Sequence, residues 1–465
     1  MRLRLALAIV ALGACSSRPV TPLPAVDPID VDPDLRAVLQ HDYAKDACRR
    51  YDQGARDRNT VLLCGKYRFF YGSFGMRGIP STIVEFLPKH FPGEIGVGYA
   101  RLGMIPDPYS DAGMPIGLVD GPTRGLSPTK VFGCASCHFG QLPDGRYAVG
   151  APNHAYEYGT QILAFVSFPP LALEGNPEKH DPSAVAKLQP MLDRVAADPK
   201  LKGSLSGALL PALGAGAPPS FDRTTEAEYA SWPPGTMDFL INPLPIDDHV
   251  HTVSRIPPIW NLVRPETASA VGMPHGRLGW TGGVRGAASF MRAFVRLFGG
   301  ELDDATTRDI EPVVEYLYSL TPPPAPAQDA AGTARGRALF GARCTSCHDG
   351  PSGESSAIYP FAQLGTDPAL GRWLDPDGDL QPPADAQLEP GDTLTGQIKA
   401  PRLFGLWGQH RFLHNGALGS LEQLFCLQPR PPSLGDALDT AGHTMTCDGL
   451  TDAEKHDLLT YLRSL

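Results

Sequence analysis

Two pentapeptides in this chain have the residue types and spacing to do chemistry: Cys134-Ala-Ser-Cys137-His138 and Cys344-Thr-Ser-Cys347-His348. Two thiols separated by two residues reach the two vinyl groups on one porphyrin edge. An imidazole directly after the second thiol falls beneath the iron. That is the attachment pattern of c-type haem. With 9 Cys and 13 His in 465 residues, chance supplies only ~0.005 such matches per chain. Two matches therefore predict two covalent haem c groups. Cys134, Cys137, Cys344 and Cys347 would be the thioether donors, with His138 and His348 as proximal ligands. Zinc sites and disulfide hairpins also use paired cysteines, but neither requires a histidine directly behind the second one.

What a haem does depends on its second axial position. Two protein ligands make an electron carrier, whereas an open position binds or activates small molecules. For the second haem the candidates are His443, Met445, His414 and His410. His443 is preferred, because Ala441-Gly-His-Thr-Met445-Thr-Cys447 forms a loop before the terminal helix that can fold over a haem face.

The surrounding chain must export, hold and enclose these groups. Arg2 and Arg4 precede an apolar run from Leu5 to Leu12, too short to cross a bilayer, so 1–15 reads as a signal peptide. Its end, Leu12-Gly13-Ala14-Cys15, resembles a bacterial lipobox, which implies a lipidated Cys15 and membrane contact through that anchor. Ser16 after the cysteine favours the outer membrane. The expectation is thus an exported, periplasmic lipoprotein. Export suits haem c and permits disulfides. Cys48, Cys64, Cys426 and Cys447 remain for them. Four cysteines allow three pairings, of which the local one, 48–64 with 426–447, is simplest. A net charge of −10 without a basic tract argues against nucleic acid as a partner.

The fold expected is mainly α, with two cytochrome c-type haem domains, long irregular loops (48 Pro, 50 Gly) and an N-terminal extension. Residues 16–109 read as tether and extension, with helical spacing over 35–70 and ordered loop over 71–130. Residues 110–320 read as the first haem domain, with an insertion at about 170–245 that holds a helix over Pro182–Ala197. The Pro-rich segment 321–328 is a stiff linker, and 329–465 is the second haem domain. Further helices are predicted over Ala287–Phe298, Asp309–Leu320 and Ala334–Phe340, and a terminal one N-capped by Thr451.

The segment Lys399-Ala-Pro401-Arg-Leu-Phe-Gly-Leu-Trp407, with Phe412-Leu-His414-Asn-Gly416, resembles the C-terminal motif of the bacterial di-haem cytochrome c peroxidase superfamily. Its Leu-His-Asn-Gly form is closest to the rubber-oxygenase-like branch. Arg255-Ile-Pro-Pro-Ile-Trp260-Asn261 and Gly279-Trp280-Thr-Gly282 also resemble superfamily elements. The resemblance implies that the N-terminal haem activates peroxide or dioxygen while the C-terminal haem exchanges electrons with it and with a redox partner protein. It implies His443 as sixth ligand of the second haem and Trp280 as a relay between haems. His154, 16 residues after His138, has the spacing of the removable distal ligand of the peroxidases; the alternative is Tyr156 or Tyr158 against the haem edge or a propionate. Asn261 is either a ligand to calcium between domains or an asparagine capping a turn. The peroxidases carry a Glu after their Trp-Asp-Gly motif, but here no carboxylate follows until Glu301. Phe294 is the match to a distal Phe, so an apolar, oxygenase-like pocket is expected. The alternative is a pure electron carrier with both haems six-coordinate, His154 closing the first.

Overall fold

The computed structural model describes residues 33–465 except 111–112, 125–126, 214–220, 239–251, 266–275, 349–356, 376, 383–387 and 435–437. The segments expected to be a signal peptide, a lipobox with Cys15 and most of a tether lie outside the described residues. No helix among the described residues is long and apolar enough to cross a membrane.

The protein is mainly α, as expected. The N-terminal region contributes α1 (Pro33–Leu39), α2 (His41–Asp52), α3 (Arg58–Tyr71) and α4 (Ser81–His90). The stretch 71–130 is therefore not all loop. It holds α4 and a small antiparallel sheet of β1 (Ile79–Pro80), β2 (Leu118–Arg124) and β3 (Ser127–Phe132), in the order β1-β3-β2. The first CxxCH motif forms α5 (Cys134–His138) and runs into a hairpin, β4 (Phe139–Gln141) with β5 (Tyr147–Val149). Next come α6 (Tyr158–Val166), α7 (Phe168–Glu174), α8 (Pro182–Ala197), α9 (Pro199–Leu213) and α10 (Arg223–Ser231). The predicted insertion is thus largely helical, and α8 has the predicted bounds. Strand β6 (Thr236–Met237) pairs with β7 (Ser254–Arg255), and β8 (Arg277–Leu278) with β9 (Val284–Arg285). Helices α11 (Gly286–Leu297), α12 (Asp304–Leu317) and α13 (Ala330–Arg343) follow. Strand β10 (Ile358–Tyr359) pairs with β11 (Ile398–Lys399). Two single turns, α14 (Phe361–Leu364) and α15 (Leu421–Leu424), precede the terminal α16 (Asp452–Leu462).

Capping residues set several of these boundaries. Asp303 accepts a hydrogen bond from the Thr306 amide at 2.7 Å, so α12 begins earlier than the apolar periodicity suggested. Asp329 does the same for α13 through the Gly332 amide. Thr451 and Glu454 exchange side-chain bonds with each other's amides, forming a capping box at α16. Disulfides join Cys48 to Cys64 and Cys426 to Cys447, the local pairing.

Two large apolar clusters flank the first CxxCH motif, and another lies at the second. One packs α4, η-turn residues near Tyr99, and α6 to α10, with Cys137 against it. Another packs α3, α11, α12 and the β4–β5 hairpin, with Cys134 against it. The first motif therefore sits with one cysteine on each. The third joins α13 and α16 through Phe340, Leu458, Leu459 and Tyr461, with Cys344 at its edge.

Candidate functional site

The first CxxCH helix opens onto a cavity. Cys134, Cys137 and His138 line one side, and Phe290, Met291 and Phe294 of α11 form another. Trp280, Arg255, Pro257, Lys399, Pro401 and Arg402 complete its rim toward the second CxxCH region. The four motif cysteines are free thiols, available for thioether links. His138 is half-buried, and its Nδ1 is enclosed without a hydrogen-bond partner. Burial pushes its pKa down to about 4, with the Pro257 carbonyl opposing weakly. Its imidazole is thus neutral, the form that ligates a metal.

The second centre has a matching layout. His348 Nδ1 lies 3.2 Å from the Pro401 carbonyl. Donation there leaves the Nε2 lone pair free for iron. The Arg255-Ile-Pro257 and Lys399-Ala-Pro401 segments are alike in placing a proline two residues after a buried cation, and the Pro401 carbonyl also bonds His348.

His443 faces His348 with ring centroids 6.3 Å apart. Two metal–imidazole bonds of about 2.0 Å, each extended by about 1.1 Å from nitrogen to ring centre, require about 6.2 Å. That spacing leaves room for both imidazoles to reach one metal ion. Several contacts set that position. The His443 amide donates to the Leu364 carbonyl at 2.9 Å, Arg430 donates to the Gly442 carbonyl at 2.8 Å, and the 426–447 disulfide closes the loop. His443 Nδ1 is enclosed without a partner, and burial, with His348 nearby, pushes the ring pKa down to about 4. The other candidates sit elsewhere. Met445 is 52% exposed. His414 is buried against Phe361, with Nδ1 3.4 Å from the Thr366 hydroxyl. His410 donates its amide to His154.

His154 does not line the first cavity. Its Nδ1 accepts from the His410 amide at 3.0 Å, and its Nε2 lies 3.3 Å from the Ile256 carbonyl. Both nitrogens are committed to backbone, so this arrangement supplies no distal ligand from His154. His138 is the one histidine among the described lining residues. Two thioethers also line the cavity, Met237 and Met291. Met237 Sδ is 3.7 Å from Cys137 Sγ.

Phe294 lies on the cavity wall, as expected, and packs on Phe298 with centroids 4.5 Å apart. The wall is not purely apolar, however. Asp238, just after β6, lines it and is 4% exposed. The expectation of a site without a carboxylate is corrected here. Asp238 lies far from the Trp280 element in sequence and reaches the cavity because β6 pairs with β7.

Trp280 sits between the two cation-x-proline segments. Its indole N–H donates to the Arg255 carbonyl at 3.2 Å, its own carbonyl accepts from the Lys399 amide at 2.7 Å, and the Arg255 guanidinium lies 4.7 Å from its ring centre. Sequence reasoning also missed the charge of these segments. Arg255 is 5% exposed and donates to the Leu413 carbonyl and Gln409 Oε1. Lys399 is 8% exposed, with the Ala400 carbonyl 3.5 Å from Nζ. All these partners are neutral. Burial pushes the Arg255 pKa down to about 9 and that of Lys399 to about 7. A buried cation with neutral partners is costly unless an anion joins it. A haem, with two carboxylates, fits this rim.

Asn261 adopts a left-handed φ of 49° and donates its amide to Leu320. No group of three or more His, Cys, Asp or Glu side chains among the described residues is arranged to hold a metal ion, so nothing here supports the expected calcium.

No family model matches the chain, and no curated protein matches it. Among solved structures it is similar to a chain of Kuenenia stuttgartiensis hydrazine synthase, in a crystal pressurised with 20 bar xenon. The likeness is 18% in sequence identity at a TM-score of 0.25, covering 46% of this chain and 73% of that one. A superposition that loose does not establish a shared fold.

Proposed function

We propose that this chain is an exported di-haem c oxidoreductase in which the first centre reduces a peroxide and the second passes electrons to it. One observation carries the reading. His348 is opposed by His443 at the spacing of a doubly ligated iron, whereas the described residues around His138 offer no second histidine. One closed and one open centre suit an enzyme fed by a carrier.

Bound haem would supply the redox-active iron at each centre. Cys134, Cys137 and His138 would hold the first, and Cys344, Cys347, His348 and His443 the second. Arg255 and Lys399 would meet the haem carboxylates. Trp280, bonded to both cation-x-proline segments, would relay electrons between the centres. Phe290 and Phe294 exclude water from the cavity. Asp238 would move a proton between the two oxygens of a hydroperoxide, a role that a buried carboxylate can fill. That carboxylate favours peroxide over dioxygen as oxidant. Lipid attachment at Cys15 would keep the protein in the periplasm, tethered to the outer membrane, where a redox partner protein would deliver electrons.

Asp238→Asn tests the oxidant. Peroxide turnover should fall by ~10²-fold or more while the haem absorbance stays unchanged. Unaltered turnover in Asp238→Asn would remove Asp238 from the chemistry.

A second reading, a pure electron carrier, is favoured by the thioethers of Met237 and Met291 in the first cavity, since methionine is also a haem ligand. Carbon monoxide would then bind neither reduced centre.

A further inference from the structure

We propose that Tyr158, Trp232 and Tyr229 form a path along which electrons travel from a one-electron donor held outside α10 to the first CxxCH centre. The path rests on the peroxide-reducing reading above and adds a second entry for electrons, remote from the second centre.

The path begins at a covalent attachment point. Cys137 packs against the cluster that contains all three rings. Within that cluster both ring-to-ring steps are short and all three rings are oxidisable. Tyr158 and Trp232 stack with centroids 6.1 Å apart and planes 8° from parallel, and Trp232 to Tyr229 is 4.6 Å. Tyr156 joins as a side branch, 5.8 Å from Tyr158. No phenylalanine interrupts the sequence of rings. The three rings are 1%, 3% and 0% exposed, so packing fixes their spacing.

The backbone brings these rings together by a close approach. A Cβ on Gly159 would lie 2.2 Å from the Tyr229 carbonyl. Only glycine lets the start of α6 meet α10 this closely, which sets Tyr158 over Trp232. At the outer end, Asp222, Arg223, Thr224 and Ser231 of α10 and its cap are exposed. An oxidised aromatic must also release or share a proton. The Trp232 indole N–H points to Glu228 Oε1 at 3.5 Å, so a carboxylate stands where an oxidised indole would share its proton.

The electron count closes. Each donor molecule gives one electron, which refills the ring oxidised last. Two such electrons and two protons convert one hydrogen peroxide into two waters. The donor is oxidised at α10 without entering the cavity.

The holoprotein is treated with hydrogen peroxide in the presence of 2-methyl-2-nitrosopropane, digested, and mapped by mass spectrometry. Spin-trap adducts are expected on Trp232 or Tyr229. They should be lost in Tyr158→Phe, with an unchanged haem absorbance spectrum showing that the variant folds and loads. If the wild type consumes peroxide but neither ring carries an adduct, the path is wrong and the proposed function stands. Adducts on Trp232 that persist undiminished in Tyr158→Phe also overturn the path. If the wild type consumes no peroxide, both fail.

Discussion

The two CxxCH centres share a pentapeptide and a cation-x-proline segment, but they differ in what meets the proximal histidine. At the second, a loop pinned by a disulfide sets His443 6.3 Å from His348. At the first, the corresponding space is a cavity walled by α11, with Asp238 at its edge. The two proximal histidines come from the same kind of motif and are both neutral, pushed down to about 4 by burial. The contrast between the centres therefore comes from long-range packing, which sets whether a second histidine or a cavity faces the motif histidine.

The largest expected effect breaks this contrast. His443→Ala should turn the second centre from low-spin to high-spin, read by EPR of the oxidised protein, and make the two centres alike. A Cys426→Ser, Cys447→Ser double variant should act on the same loop more weakly. It removes a cross-link spanning 21 residues, which is worth about 3 kcal/mol of stability. Denaturant unfolding measures that loss, and part of the second-centre low-spin signal should go with it.

The next effect concerns how the centres are joined. Glu389, 4% exposed, binds both Arg292 and Arg296 of α11, and Asp392 accepts from Ser289 of the same helix at 2.6 Å. The wall of the first cavity is thus tied to the second region. Glu389→Gln should cost about 2 kcal/mol, less than a fully buried pair, because both arginines are partly exposed. It should also change ligand rebinding at the first centre while leaving the second-centre spectrum unaltered, which flash photolysis of the carbon monoxide adduct reads. Smallest is Thr451→Ala. It removes the capping box of α16 at about 1 kcal/mol by thermal or denaturant unfolding, with no spectral change at either centre.

Features that depend on neighbours in sequence were legible. The CxxCH pairs, the bounds of α8, the Thr451 cap and the two local disulfides all involve residues close in the chain. The nearness of His443 to His348 accords with a loop that lies directly before α16. What was not legible depends on long closures. Met237, next to Asp238, contacts Cys137 across 100 residues, a closure that the stretch after Trp280 does not encode. His154 is committed to His410 across 256 residues, which its spacing from His138 could not reveal. The helices of the N-terminal region were underestimated because Pro and Gly dominate 71–130, although α4 accommodates Pro88 internally.

Carbon monoxide titration of the fully reduced holoprotein tests the open-and-closed arrangement most directly. The account predicts one carbon monoxide per two haems in the wild type and two in His443→Ala. Binding to neither haem in the wild type, or to both, would contradict it.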